Sequence, residues 1–312
     1  MIEITALVEN VCEREDLQAE HGLSLFVNKD NRKFLIDTGE TRAYLENAAA
    51  MDIDLAHIQT CIITHNHIDH IGGLESLLKI NPEVKIYLRA EAKSEFYFKY
   101  LFAKKQISAK RELFEKYADR FVWIDEAGRN FRVDLENADH RMDEDAYLNK
   151  GSNNSSGATL SYDLPGGIHL LPVTVREEQY ICKDNLLFEK KDGKLIKDHF
   201  DHEQFVVMEN AGGLVIVSSC SHNGIVNIIE TTKKHFPNKP ITHIIAGFHM
   251  KKSKGDGLNC SKEFVKETAE ALAATGAMVY TCHCTGLAAY EIMQEVLGTQ
   301  LQYLKTGSAI RL

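Results

Sequence analysis

Basic charge is in deficit. Lys plus Arg number 36 against 45 Asp plus Glu, a formal charge of −9 over 312 residues. A protein that binds a phosphate backbone needs a basic stripe to displace condensed counterions, so nucleic acid is not an expected partner. Proline is scarce, at 5, and no apolar run approaches the roughly 20 residues of a membrane helix. The opening MIEITALVEN carries acidic residues where a secretory signal would carry basic ones. The expectation is a soluble, cytoplasmic chain with no membrane partner. Seven cysteines (Cys12, Cys61, Cys182, Cys220, Cys260, Cys282, Cys284) are odd in number and scattered, which excludes a secreted disulfide framework. An apolar share of 44% excludes disorder as the overall state. The abundant residue is histidine, at 14.

Alternation and β-branched residues predict strands near residues 2–8, 23–27 and 33–37, the last two joined by the turn-forming NKDNR. A helix-period stretch over 41–51, the apolar run TCIIT at 60–64 and a second helix from about Ile71 follow. From 90 to about 120 the text reads helical and dense in aromatics, FYFKYLF at 96–102 included; beyond it, to about 205, it turns polar and irregular. GSNNSSG at 151–157 reads as a mobile loop. Alternation then resumes in QFVVMEN and LVIVSSC, with helices predicted over 225–235, 261–273 and 287–297. Both halves carry a strand running into a polar turn and then a helix, which suggests two related α/β halves packed sheet to sheet with helices outside. The expectation is a single domain over 1–312, with an insertion at about 90–205 that roofs the site.

Residues 64–73 read Thr-His-Asn-His-Ile-Asp-His-Ile-Gly-Gly, directly after an apolar strand. Imidazole and carboxylate are ligands that borderline divalent metals accept, and a strand-to-helix loop lets the sheet fix their directions. His65 and His67, two apart, can face one way, while the adjacent Asp69 and His70 diverge; two metals sharing the loop fit this better than one. Gly72 and Gly73 permit close packing behind it. The bland alternative, in which Asp69 caps a helix and the histidines are surface groups, does not explain their concentration. Two metals need more ligands at other strand ends. His222 follows LVIVSSCS and His283 follows MVYTC, each with a glycine close behind (Gly224, Gly286); His249, after HIIAGF, is the same kind of candidate.

The pattern H-x-H-x-D-H with later histidines at separate strand ends resembles the metallo-β-lactamase superfamily over nearly the whole chain. EHGLSL, LIDTG, THNHIDHIGGL, DHFDHEQ, CSHNGIVN, GFHM and HCTG resemble more narrowly the family of dihydropterin (ribofuranosyl)aminobenzene phosphate synthase-like proteins, associated with methanopterin. The resemblance implies a four-layer αββα sandwich with a helical or irregular insertion and metals at one edge. It implies His65, His67 and His222 on one metal and Asp69, His70 and His283 on the other. Asp37 then hydrogen-bonds the ligand loop. The expected cofactor is one or two divalent ions, zinc first, with iron, manganese and nickel also suited to five imidazoles and one carboxylate. One departure stands out: 246–250 reads Ala-Gly-Phe-His-Met, without the aspartate that bridges the metals in many members. His249 is therefore either a ligand or a substrate-facing acid. Cys220, two before His222, falls on the same side of an extended strand, where its thiol either sits beside the metal or, the more ordinary case, is a small buried apolar residue. Cys282 and Cys284 flank His283 and are expected to point away from it.

Such a site predicts hydrolysis or displacement: hydroxide held by the metals attacks a phosphoester, ester or amide of a small heterocyclic substrate, phosphorylated or not. Asp69, His249 and His283 are the catalytic candidates, the two histidines near the leaving group. His21 and Arg89 are candidate substrate contacts, and Lys93, Lys251 and Lys252 candidate phosphate contacts. The aromatic stretch, with Phe114, Tyr117, Phe121 and Trp123, is either core or a platform for a planar ligand. The alternatives are a synthase-like transferase with a pyrophosphate leaving group and a non-catalytic metal- or ligand-binding sensor. Substrate identity and oligomeric state are not written in the sequence.

Overall fold

In Gln204–Asn210 and Gly213–Ser218 apolar residues run almost without interruption, so these strands must be covered on both faces. Alternation divides them. Phe205, Val207, Leu214 and Ile216 turn to one side and join Ile228, Val265 and Met293 of the outer helices. Val206, Met208, Val215 and Val217 turn to the other and meet Ile4, Leu25, Ile36 and Ile62 of a second sheet. That sheet covers its own far face with Tyr44, Leu74 and Leu77 against Leu35, Ile63 and Ile86. Three apolar clusters thus cement the three interfaces of an αββα sandwich, the architecture expected from the sequence.

The computed structural model describes residues 1–125, 161–253 and 255–312, together with the strands Asn130–Val133 and Arg141–Met142. The first sheet runs, edge to edge, Arg141–Met142, Asn130–Val133, Phe121–Ile124, Lys85–Arg89, Thr60–Ile62, Arg32–Ile36, Ser24–Lys29, Ile2–Val8 and Ala309–Arg311. The second runs Tyr162–Leu164, Ile168–Pro172, Gln204–Asn210, Gly213–Ser218, Ile241–Ala246, Met278–Thr281 and Leu301–Tyr303. The expected hairpin over 24–36 forms, with Phe26 opposite Leu35. Among the described residues no helix is long and apolar enough to cross a membrane.

The helical reading of 90–120 is corrected. Glu95–Tyr100 and Ala103–Gln106 form a hairpin, which with Leu187–Lys191 and Lys194–Lys197 makes a third, four-stranded sheet; only Arg111–Lys116 is α-helical, with single 3-10 turns at Ala90–Lys93 and Ala118–Arg120. Adjacent aromatics favour a pleated surface over a helix, and Phe96 and Phe98, two apart, point the same way. Phe114, Phe121 and Trp123 pack together in the core instead of lining a platform. The GSNNSSG stretch lies outside the described residues.

The third sheet is tied to the histidine loop. Ile68 donates its N–H to the Ile107 carbonyl at 2.6 Å, and the Asn66 side chain bonds Ala92 and Ala109. Behind the loop the second predicted helix is broken into Ile68–Ile71 and Leu74–Ile80, with Gly72 and Gly73 between. A Cβ at Gly73 would lie 2.2 Å from the Thr38 carbonyl oxygen and 2.3 Å from that of Thr41. Rigid backbone leaves no room to yield, so Gly73→Ala is expected to destabilise the chain by about 1–3 kcal/mol, the range for overpacking. Urea unfolding of the two proteins measures it, and an unchanged midpoint would refute the close-packing account.

Candidate metal centre

Every ligand-type side chain of the constellation stands just past the C-terminal end of a parallel-paired strand. Asp37 follows Arg32–Ile36, the 64–70 loop follows Thr60–Ile62, Cys220 and His222 follow Gly213–Ser218, His249 follows Ile241–Ala246, and His283 follows Met278–Thr281. Open α/β sheets place ligands at such ends. The turns are tight: Asp37, Ser221, His249 and His283 hold φ of 58°, 55°, 52° and 52°. Left-handed backbone at residues other than glycine costs roughly 1–3 kcal/mol each and collects where surroundings force it, at functional sites above all.

Asp37 is fully buried, and its carboxylate accepts four hydrogen bonds. They come from the Thr64 N–H and hydroxyl, both at 2.7 Å, from His70 Nδ1 at 2.9 Å, and from the Ser219 hydroxyl. The partners fix the tautomers. His70 donates its Nδ1 proton to Asp37 and turns Nε2 toward Cys220 Sγ, 3.1 Å away. The one Thr64 hydroxyl proton goes to Asp37, so Thr64 accepts from His65 Nδ1 at 3.0 Å and leaves His65 Nε2 bare. His283 Nδ1 donates to Asn10 Oδ1 at 3.0 Å, again leaving Nε2. Anchoring the distal N–H in this way is what ligand histidines require.

The unpartnered nitrogens converge. Among the described residues Nε2 of His65, His67 and His283 and both ring nitrogens of His222 and His249 are buried without a hydrogen-bond partner. Asp69 Oδ2 at 3.4 Å from His283 Nε2 and Asp184 Oδ2 at 3.4 Å from His249 Nε2 act electrostatically but are not aligned as hydrogen bonds. So many unpartnered buried nitrogens would be costly in an ordinary core, and together with a carboxylate they are a donor set suited to divalent cations. The ligand atoms of Asp69, His70, Cys220 and His283 lie within 4.8 Å of one another, as do those of His65, Cys220 and His222. His67 is in the same ring cluster, 4.7 Å from His65 and 5.0 Å from His222 between centroids. Its Nε2, however, groups with Asp198, 3.6 Å away, and His202.

Charge states differ across the cluster. Burial pushes His65 and His222 well below the usual imidazole range and keeps them neutral, the form that binds metal. Burial also opposes the charge of Asp69, yet His70 and His283 hold its carboxyl well below the usual range. For His70 burial is outweighed by Asp69 and Asp37, which push it up to about 10, so a cation binding at Nε2 would have to displace a proton there. Burial likewise opposes charge on His249, but Asp184 and Cys284 push it up to about 10.

Several residues with a part here carry no clear sequence signal. Asp198 and His202 fall in the DHFDHEQ phrase, whose density of Asp and His could have drawn attention. His202 Nδ1 accepts the Asn66 N–H at 3.1 Å and its Nε2 faces Asp198 at 3.2 Å, so both nitrogens are engaged and the ring, stacked on Phe96, positions Asp198. Glu203 accepts the N–H groups of His222 and Asn223 at 2.7 and 2.9 Å; Glu9 accepts that of His283 at 3.0 Å. The expectation that Cys284 points away from the centre is corrected: the left-handed turn at His283 brings its Sγ into a group with Cys220 and His249, where it accepts the His249 N–H at 3.2 Å.

A cavity of about 290 Å³ opens over the cluster, with Asp69, His222 and His249 in its lining and Phe98, Lys105 and Lys251 among its walls. His21 and Lys252 line it too, His21 Nε2 lying 3.4 Å from Asp69. Arg89 is not in the lining: it is buried, donates to the Asp125 carbonyl at 3.2 Å and sits 3.2 Å from Glu91, which corrects its reading as a substrate contact. Lys93 lies over the Trp123 ring.

Residues 18–148 match the sequence model of the Metallo-beta-lactamase superfamily. The chain is 25% identical to a 7,8-dihydropterin-6-methyl-4-(beta-D-ribofuranosyl)-aminobenzene-5'-phosphate synthase of Methanocaldococcus jannaschii, over 94% of this chain and 90% of that one. An uncharacterized protein of the same organism is 23% identical over 92% of this chain and 91% of its own length. In structure the chain resembles Tm1679, described as a metal-dependent hydrolase of the beta-lactamase superfamily, with a TM-score of 0.74 at 23% identity, covering 100% of this chain and 99% of the other.

Metal analysis tests the donor set. Protein purified without added metal is expected to hold one or two divalent ions per chain, and His67→Ala and His283→Ala each to lose metal. Asp37→Ala, which frees His70 and the Thr64 hydroxyl, is expected to weaken metal affinity about 10–100-fold. Unchanged metal content in the two histidine variants would refute the assignment.

Proposed function

We propose that this chain is a metal-dependent hydrolase of the metallo-β-lactamase superfamily, whose sequence model residues 18–148 match, acting on a small heterocyclic substrate, phosphorylated or not. The observation that carries this reading is the meeting of unpartnered histidine nitrogens with Asp69 beneath a cavity that Lys105, Lys251 and Lys252 line. His65, His67, His222 and Asp69, His70, His283 would hold two divalent ions, zinc first. Such ions supply Lewis acidity and lower the pKa of water toward about 7.

The protein's own groups do the rest. The three lysines bind the anionic part of the substrate as point charges. Phe98 offers a flat apolar wall to a heterocycle. His249, set against Asp184 3.4 Å away, gives a proton to the leaving oxygen, and the carboxylate stabilises the protonated ring beforehand. His21, at the rim beside Asp69, contacts substrate. Phe98 of the strand Glu95–Tyr100, in the cavity wall, limits water around the reacting atoms.

A second reading is favoured by the 25% identity that extends over 94% of the chain to the archaeal synthase. In a transferase of that kind the same lysines receive a departing pyrophosphate.

Zinc-loaded protein assayed on a phosphodiester, a lactone and a pterin pyrophosphate separates the two. Release of an alcohol or a monophosphate supports the hydrolase; pyrophosphate release that requires an aromatic acceptor supports the transferase. His249→Gln is expected to lower kcat about 10²–10⁴-fold with metal content unchanged, whereas Lys251→Ala raises KM and leaves kcat nearly intact. Fully loaded protein inert on all three substrates would overturn the enzymatic reading.

A further inference from the structure

Cys220 stands where the two ligand groups meet. Its ligand atom lies within 4.8 Å of those of Asp69, His70 and His283, and it belongs equally to the group of His65 and His222. No other described side chain is shared by these two groups. The sulfur is 3.1 Å from His70 Nε2, the residue is 3% exposed, and the unpartnered nitrogens of His65, His222 and His283 surround it. The backbone holds it there from both sides: the preceding Ser219 bonds Asp37 and the following Ser221 takes the left-handed turn that delivers His222.

Charge supplies an independent argument. Two divalent ions would bring four positive charges into a region whose nearest acidic ligand is Asp69, and residues 246–250 offer no carboxylate. Buried charge needs nearby compensation. A thiolate brings one negative charge and a soft donor that zinc and iron accept.

We propose that Cys220, as thiolate, bridges the two metal ions between the His65/His222 group and the Asp69/His70/His283 group; this rests on the dinuclear reading of the site. On loading, the Cys220 S–H bond breaks heterolytically, its proton passes to solvent, and sulfur lone pairs form one bond to each ion, with no change of oxidation state. Cys284 is the natural rival. Its sulfur already accepts the His249 N–H and belongs to neither of the two groups.

X-ray absorption at the zinc edge of the full chain loaded with zinc tests this. The expected result is two zinc ions per chain, each with one sulfur neighbour at about 2.3 Å. Cys220→Ser is expected to lose that sulfur shell and to weaken zinc binding about tenfold or more, and Cys284→Ser to keep the shell. Two bound zincs without sulfur, sulfur on only one of the two, or a shell that survives in Cys220→Ser and disappears in Cys284→Ser would overturn the proposal while leaving the metal centre intact. Wild-type protein that takes up no zinc would overturn both. The wild-type sulfur count decides the matter even if Cys220→Ser fails to fold.

Discussion

The carboxylate of Asp37 is the interaction on which the rest of the centre depends. It ends one strand, receives both polar groups of Thr64 at the end of the next, orients His70, and reaches Ser219 in the opposite sheet. Through Thr64 it also sets the proton on His65. A fully buried carboxylate with fewer donors would be expensive; with four it is satisfied, and each bond immobilises a different part of the site. The left-handed backbone at Asp37, at φ 58°, is the local strain that aims the side chain inward.

The same device recurs. Glu203 holds the backbone of His222 and Asn223, and Glu9 that of His283, each buried and pushed up from the usual carboxylate range by burial, with the accepted N–H groups resisting. Three ligand loops from two sheets thus each rest on one buried acid at a strand end, of the same sheet for Asp37 and Glu203 and of the opposite sheet for Glu9. None of these acids is among the side chains that converge, so metal-binding geometry is decided one layer behind the ligands, where water cannot compete.

What the sequence made legible follows from range. The H-x-H-x-D-H loop could be read because its spacing is local and its neighbours are a strand and a glycine pair. The sandwich could be read because period-2 alternation and helix-period stretches are local as well. Glu9 and Glu203 could not: an acid at a strand end is ordinary, and only a partner 274 residues away, in the case of Glu9 and His283, makes it special. Alternation extended through His283 puts Cys284 on the wrong side, because the chain turns left-handed there at φ 52°. The aromatic run was read as a helix because dense apolar text satisfies either period; pairing with Leu187–Lys191, nearly a hundred residues on, decides for a strand. Arg89 shows the reverse error, a cation placed near a strand end whose guanidinium meets carbonyl and carboxylate partners of its own sheet.

Net charge and local charge answer different questions here. A total of −9 governs what approaches from a distance, and it disfavours polyanions. Screening confines each charge to about 8–10 Å at physiological salt, so a substrate inside the cavity responds to its walls and not to the total. In those walls Asp184 faces His249 and Asp69 faces His70 and His283, so their negative charge is turned inward toward imidazole. Lys105 and Lys252 are left to meet whatever enters, with Lys251, 3.9 Å from Asp256, beside them and Glu40 the remaining acid of the lining. An acidic protein can in this way present a cationic mouth, and the pairing of carboxylate with histidine at the floor is what makes the two compatible.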